Sequence, residues 1–141
     1  MVSRRYLLAS ACVAVASARA QDDPVPRRVI LDVSRALQAG NAARFMVYFD
    51  KRQFGDFSDL RRSVSALLET RTAASSVDIL SNTESSGGRT IKVDWILQLT
   101  PIVGPGEIET RRQMVQLTLT QQSSGAWRIM AFDPVEFLRV L

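Results

Sequence analysis

The chain changes its hydrophobic period once, from a helical period in its first half to an alternating one in its second. After Arg27, apolar residues recur at steps of three and four, at Val29, Ile30, Val33, Ala36 and Leu37. This spacing is typical of an amphipathic helix. Pro26 fits the first turn of that helix, where its missing N–H loses no partner, and Gly40 fits the C-terminal end.

Two further helices are predicted before the period changes. Asn41 is a suitable N-cap for a short helix from Ala42 to about Phe49. Asp56 and Ser58 are alternative caps for a third helix. The apolar stripe of this third helix contains Phe57, Leu60, Val64, Leu67 and Leu68. Each helix therefore has one side that should pack against other elements.

From Ser75 onward, apolar and polar residues alternate, which is the period of a half-buried strand. The clearest predicted strand places an apolar set on one face, namely Ile91, Val93, Trp95, Leu97 and Leu99. Alternating runs near Val77, Val115 and Trp127 indicate the other strands. Polar stretches containing glycine, at residues 85–88 and 123–125, predict turns between them.

Helices followed by hairpin-linked strands predict an α+β fold. The first and last connections between the strands are too short for parallel crossovers, so the sheet should be antiparallel, with about four strands. One face of that sheet is apolar and must be covered. We expect the three helices to cover it.

The first twenty residues have the layout of a secretory signal peptide. Arg4 and Arg5 precede a mostly apolar, uncharged run, and the segment ends in Ala-Arg-Ala, a small-x-small cleavage pattern. The run is shorter than the roughly 20 residues needed to span a bilayer. Alternative interpretations are a frayed helix and a lipoprotein signal at Cys12, which lacks the usual leucine three residues upstream.

We therefore predict a signal peptide at residues 1–20 and one domain at residues 21–141, exported across the inner membrane and either periplasmic or secreted. No stable membrane anchor is expected after cleavage. Cleavage removes three of the 18 basic residues and leaves 15 against 14 acidic ones. A nearly neutral domain gives little reason to expect nucleic acid. Cleavage also removes Cys12, the single cysteine, and with it any disulfide or thiol chemistry.

The order of elements and three segments resemble the nuclear transport factor 2-like superfamily, which includes SnoaL-like proteins and ketosteroid isomerase. The segments are VILDVSRALQAGNAARFMVYFD, VDWILQL and WRIMAFDP, and the resemblance covers about residues 26–137. It implies a curved sheet wrapped on helices, the cystatin-like cone, with a conical cavity between the layers. Because the superfamily includes isomerases, dehydratases and transport factors, the resemblance does not indicate which reaction, if any, this chain catalyses.

The chain contains no histidine, which excludes Ser–His–Asp, Cys–His and His-based zinc sites. We predict no cofactor and no metal. Isomerase-like relatives use an aspartate base and a tyrosine, and Tyr48 and Asp50 are the weak candidates for those roles. Two residues apart on a helix, they would point about 200° away from each other, so structural roles are favoured for both. Asp78 and Asp94 fall on the polar face of their strands.

The apolar sheet face predicts both a core and the lining of a residual ligand pocket. The lining residues of such a pocket would be Val93, Trp95, Leu97, Val115, Leu117 and Trp127. Arg111 and Gln113 share the parity of Val115, so they either form a polar rim that meets an anion or headgroup, or simply fringe the sheet.

The opposite sheet face carries scattered apolar residues, namely Leu80, Ile96, Met114 and Met130. Together they predict a homodimer through the outer sheet face, as the resemblance also implies.

The sequence favours a non-catalytic binding or interaction module that holds a small apolar ligand or a protein partner in or around the cone. The missing histidine and the apolar interior support this interpretation. The alternative is an isomerase- or dehydratase-type enzyme that uses carboxylate and tyrosine acid–base chemistry at Asp50 or Tyr48. A third hypothesis is a purely structural dimer with a filled interior.

Overall fold

Three helices precede a four-stranded sheet in the structure, a computed structural model that describes residues 24–85 and 87–140. The helices are α1 (Pro24–Gln38), α2 (Ala42–Val47) and α3 (Phe57–Thr70). The strands are β1 (Arg71–Ser85), β2 (Gly88–Pro101), β3 (Glu109–Gln121) and β4 (Trp127–Asp133), and a 3-10 helix follows at Val135–Leu138. The predicted signal peptide, its cleavage site and Cys12 lie outside the described residues.

The four strands pair in sequence order, β1-β2-β3-β4, and every pair is antiparallel. The sheet is open, since β1 and β4 lie at its two edges. The predicted α+β class, with helices first and an antiparallel sheet of about four strands afterwards, is confirmed. The first and last connections are short, as the sequence pattern indicated, and residues 102–108 join β2 to β3.

The signals at the helix ends act largely as predicted. Gly40, just beyond α1, has a φ of 69°, a backbone conformation that costs glycine little. The Asn41 side chain accepts a hydrogen bond of 2.9 Å from the N–H of Arg44 and so caps α2. Asp56 occupies the N-cap of α3, but its side chain makes no capping bond.

Helix α2 ends two residues earlier than predicted because the next residues pair with β4. The N–H of Asp50 donates to the carbonyl of Ile129 at 2.9 Å, and the N–H of Ile129 donates to the carbonyl of Tyr48 at 2.8 Å. Phe49 thereby forms a parallel bridge with Ile129. The predicted helix end at about Phe49 was wrong by two residues, since the carbonyl of Tyr48 and the N–H of Asp50 bond to Ile129, about 80 residues away in sequence.

Strand β1 begins at Arg71, four residues before the predicted start. Thr72, Ala73 and Ala74 have no alternating hydrophobicity, yet they pair with the final residues of β2. Their strand conformation therefore comes from backbone pairing with β2 and not from a local pattern.

The space between the helices and the inner sheet face is packed with side chains. All five alternating apolar residues of β2 have no exposed surface. Ile30, Val33 and Leu37 of α1 are equally buried and belong to the same core cluster as four of them. Aromatic rings fill the remaining volume. The Trp95 ring lies 5.7 Å from Phe132 and 6.0 Å from Phe137, centroid to centroid. These separations are typical of contacting aromatic pairs.

One polar network crosses this core. The Trp95 indole N–H donates to Ser75 Oγ on β1 at 2.8 Å, and Ser75 Oγ lies 2.6 Å from Ser34 Oγ on α1. Ser34 is almost fully buried, at 4% exposure. The network satisfies the buried indole and fixes α1 against the sheet edge.

Replacing Ser75 with alanine should therefore destabilise the fold, because the Trp95 indole N–H would lose its acceptor inside the core. We expect the free energy of unfolding to fall by about 1–3 kcal/mol in urea titrations followed by tryptophan fluorescence. The matched control is Ser76→Ala, whose side chain is exposed on the opposite face of the same strand. Equal losses in both variants would contradict the role assigned to the network.

Candidate functional site

The predicted pocket lining is part of the core. Val93, Trp95, Leu97, Val115 and Leu117 each have 0% exposed surface. The sixth predicted residue, Trp127, is half-buried at the start of β4. It borders a surface cavity of about 290 Å³ together with Glu84, Ser85, Gly87, Gly88, Arg89 and Gln121. The five buried side chains therefore present no open surface to a ligand.

The two predicted rim residues differ from each other. Gln113 is exposed, whereas the Arg111 side chain is only 10% exposed. Arg111 Nη1 donates to the carbonyls of Phe137 at 2.9 Å and Arg139 at 2.6 Å. Its Nε donates to Glu109 Oε2 at 2.5 Å, while its Nη2 is buried without a partner among the described residues. Arg111 thus holds the C-terminal segment against the sheet.

Glu109 completes this clamp from the start of β3. Its second oxygen accepts a hydrogen bond of 3.2 Å from Arg71 Nη1, so one carboxylate joins two arginines. The hydrogen bond from Arg111 is the main cause that lowers the pKa of Glu109, against the opposing effect of burial. A lowered pKa means that the clamp adds stability above the ordinary range of a glutamate and loses it as the pH falls through the folded value.

The candidate catalytic pair does not face a common space. Tyr48 is half-buried and packs against the core cluster, whereas Asp50 lines a surface cavity to which Tyr48 does not contribute. The helical geometry used to separate the two side chains was wrong, because both residues lie beyond the end of α2.

The carboxylate of Asp50 is held by three hydrogen bonds. Oδ1 accepts from the backbone N–H groups of Arg52 and Gln53, both at 2.9 Å, and Oδ2 accepts from Gln122 Nε2 at 3.1 Å. Asp50 itself is 9% exposed. The bond from Gln53 is the main cause that lowers the pKa of Asp50, although burial acts in the opposite direction. A general base near neutral pH needs a raised pKa, so this carboxylate is suited to organising a turn.

A surface cavity of about 580 Å³ opens beside that turn, and we call it the Asp50 cavity. It is formed where the segment after α2 meets the β3–β4 hairpin. Its lining residues are Phe49, Asp50, Lys51, Arg52, Gln53, Thr120, Gln121, Gln122, Ser123 and Arg128. Except for Phe49 at its base, every side chain in the lining is polar or charged.

The charges of the Asp50 cavity are unbalanced. Lys51, Arg52 and Arg128 supply three positive charges against the single carboxylate of Asp50. Arg52 is close enough to Asp50 to contribute to its lowered pKa. Within the part of the chain that the structure describes, Lys51 and Arg128 form no ion pair. The cavity therefore has an excess of positive charge that an anion would neutralise.

Sequence reasoning missed this cavity because its halves are far apart along the chain. Lys51 and Arg52 directly follow Asp50, and Gln122 and Arg128 belong to a hairpin about 70 residues later. The bridge between Phe49 and Ile129 brings them together. The one local signal was an aspartate followed directly by two basic residues.

The polar sheet face is as predicted for Asp78 and Asp94. Asp78 is exposed, and Asp94 is half-buried beside Arg112, whose Nη2 lies 2.7 Å from its Oδ2. The hydrogen bond from Arg112 lowers the pKa of Asp94. On the same outer face, Met114 is 52% exposed, and Leu80, at the β1 bulge, is 50% exposed. Dimerisation through this face remains a prediction.

No helix among the described residues has both the length and the apolar character needed to cross a membrane. Over the same residues, no group of three or more histidine, cysteine, aspartate or glutamate side chains is arranged to hold a metal ion.

Comparison with known families gives no identification: no family model matches this chain, and no curated protein matches it. The structure defines an α+β domain with helices packed on one face of an open antiparallel sheet. The resemblance to nuclear transport factor 2-like proteins remains a prediction beyond that class.

Removing the carboxylate of Asp50 should loosen the turn that shapes the cavity. In Asp50→Ala, two backbone N–H groups lose their acceptor, so we expect unfolding free energy at pH 7 to fall by about 1–2 kcal/mol. Because the pKa of Asp50 is lowered on folding, this difference should shrink as the pH falls through the folded value. Urea titrations at several pH values measure both effects.

The control is Asp56→Ala, since the Asp56 side chain makes no capping bond. A loss in Asp50→Ala that does not change on acidification would contradict the assigned hydrogen bonds.

The two neighbouring arginines of β3, Arg111 and Arg112, allow a test of the clamp that holds the C-terminal segment. Arg111→Met removes the bonds to two C-terminal carbonyls and leaves Glu109 with one partner, so we expect a loss of about 2–4 kcal/mol. Arg112→Met removes only an exposed ion pair with Asp94 and should change stability little. Thermal and urea unfolding compare the two, and a larger loss in Arg112→Met would refute the clamp.

Proposed function

We propose that this chain is a non-catalytic binding module whose ligand site is the Asp50 cavity. The ligand class that fits this cavity is a small polar molecule with an anionic group of the carboxylate or phosphate type. As a wider proposal, the module acts after export and belongs to the nuclear transport factor 2-like superfamily, which the layout of the N-terminus and the order of elements support.

The excess of positive charge is the observation that carries this proposal. Lys51 and Arg128 lie on two different segments that face one space, and no carboxylate among the described residues pairs with either. The carboxylate of Asp50 is already engaged by two backbone N–H groups and by Gln122. An anion can therefore interact with the cations without first displacing an internal salt bridge between them and Asp50.

The remaining lining groups suit the orientation of a polar ligand. Gln53 and Gln121 offer amide donors and acceptors, and Thr120 and Ser123 offer hydroxyls. Phe49 provides an apolar base for the cavity. A few polar groups around a concave surface are the usual arrangement of small-molecule sites.

An apolar ligand between helices and sheet has less support, because it would have to displace side chains that have no exposed surface. Isomerase or dehydratase chemistry has less support too, because Asp50 already accepts three hydrogen bonds and Tyr48 does not line its cavity. A protein partner at the outer sheet face remains an alternative to the small ligand.

Nuclear magnetic resonance titration with inorganic phosphate and with citrate tests the proposal. We expect the backbone amide signals of residues 51–53 and 121–123 to shift and saturate at millimolar or lower anion concentration. Raising the ionic strength with sodium chloride should weaken the effect, since the site acts through charge. Shifts spread evenly over the surface, without saturation, would count against a defined site.

The variant Arg128→Gln should raise the dissociation constant for the same anions by about three- to tenfold, because it removes one of the three cations. The matched control is Arg61→Gln, which removes an exposed arginine from α3, outside the cavity. Affinity equally reduced in both variants would indicate a general effect of net charge and contradict the site.

A further inference from the structure

Strand β1 leaves one edge of the sheet without a neighbour. It extends over 15 residues and pairs only with β2 among the described strands. Half of the backbone N–H and C=O groups of an edge strand point away from the sheet. Apart from the N–H of Arg71, which donates to the carbonyl of Leu67, no hydrogen bond from those groups to another described residue is present along β1. The edge is therefore a template for another extended strand.

The first part of β1 has few features that discourage such pairing. Between Arg71 and Ile79 it contains no proline, no lysine and no irregularity in its pairing with β2. The register shifts only after Ile79, where Leu80 bulges out of the ladder. Natural edge strands usually carry prolines, lysines or bulges where pairing must be avoided. Residues 71–79, which we call the β1 edge, therefore form a regular and unprotected segment.

The side chains of the β1 edge also remain partly open on the inner face. Ala73, Val77 and Ile79 pack against the core cluster, yet each is only half-buried, whereas the paired residues on β2 have no exposed surface. A strand added next to β1 would cover this apolar flank. The gain would add to that from the new backbone hydrogen bonds.

We propose that the β1 edge pairs with the β1 edge of a second copy of this chain, so that the sheet continues across a twofold axis. In such an antiparallel pair, residues that face each other lie on the same face of the sheet. Centring the pair on Ser75 places Ala73 opposite Val77 of the partner subunit and Thr72 opposite Asp78 of the partner subunit. The apolar side chains of Ala73 and Val77 then meet on the inner face, and a hydroxyl meets a carboxylate on the outer face.

The charges of the segment favour this register. A pair centred on Asp78 would place two carboxylates directly opposite each other, which destabilises a sheet. Centring on Ser75 avoids every contact between like charges and brings the small residues Ala74 and Ser76 together, so the backbones can approach. The segment is thus complementary to itself, which is why a second copy is the partner we assign.

The outer sheet face is less suited to the same role. The ion pair between Asp94 and Arg112 lies within it, among threonine and glutamine side chains. Leu80 and Met114 are exposed there but are separated by β2. Burying that face would require the ion pair to lose water, which offsets the gain from the apolar residues.

A charge exchange between positions 72 and 78 tests the proposal by sedimentation velocity over a concentration series. The protein is expressed from its full coding sequence and purified. It should sediment as a dimer. Thr72→Asp should raise the dimer dissociation constant about tenfold, because it puts a carboxylate opposite Asp78 of the partner subunit twice over. Adding Asp78→Lys to Thr72→Asp should restore dimerisation, since each new pair then has opposite charges.

One single variant, Asp78→Lys, serves as the control. Asp78→Lys alone faces a threonine across the proposed interface and should dimerise about as the original chain does. It also measures any effect of placing a lysine opposite Asp94 within one chain. Circular dichroism and urea unfolding establish that each variant is folded before its association is compared.

Three outcomes would overturn the proposal. A monomer at all concentrations excludes self-pairing and leaves the edge to a different extended chain. A dimer that withstands Thr72→Asp but dissociates on Met114→Glu assigns the interface to the outer face instead. A dimer weakened by Thr72→Asp and not restored by the double variant contradicts the pairing of positions 72 and 78.

Discussion

Trp95 lies on the inner face of the sheet, where its ring contacts Phe132 and Phe137 and its indole N–H donates to Ser75. The other elements depend on this packing. Helix α1 is fixed by the same hydroxyl network, and the C-terminal 3-10 helix supplies Phe137. The open sheet has one apolar face, and only a complete cover of large side chains keeps that face dry. The interior is consequently a core, and ligand binding is expected outside it.

Because large apolar side chains close the interior, the charged groups near the core fall into two sets: those that attach other segments to the sheet and those that line the surface cavity. Arg111 and Glu109 approach the interior and are used to attach the C-terminal segment. Lys51, Arg52 and Arg128 lie where the β3–β4 hairpin meets the turn after α2, and they remain open to solvent in one cavity. Asp50 belongs to both sets, since its buried carboxylate supports the turn that carries two of the cations. Asp50 therefore links the stability of this turn to the proposed ligand site.

The elements with strong local signals could be predicted from the sequence. The stripe of α1, the cap at Asn41 and the alternating residues of β2 follow from spacing and side-chain chemistry alone. Local signals failed where long-range pairing decides the conformation. The start of β1 depends on β2, and the segment from Tyr48 to Asp50 depends on β4. Because the Asp50 cavity is formed by that second pairing, its residues could not be assembled from the sequence.

The most direct test of the claim that the interior is closed and the binding site lies outside is a crystal structure of the protein soaked with an organic phosphate. We expect ordered density for the phosphate group against Lys51, Arg52 and Arg128, with the Trp95 ring unmoved. Density between β2 and α1, with Trp95 or Phe137 displaced to make room, would contradict the claim.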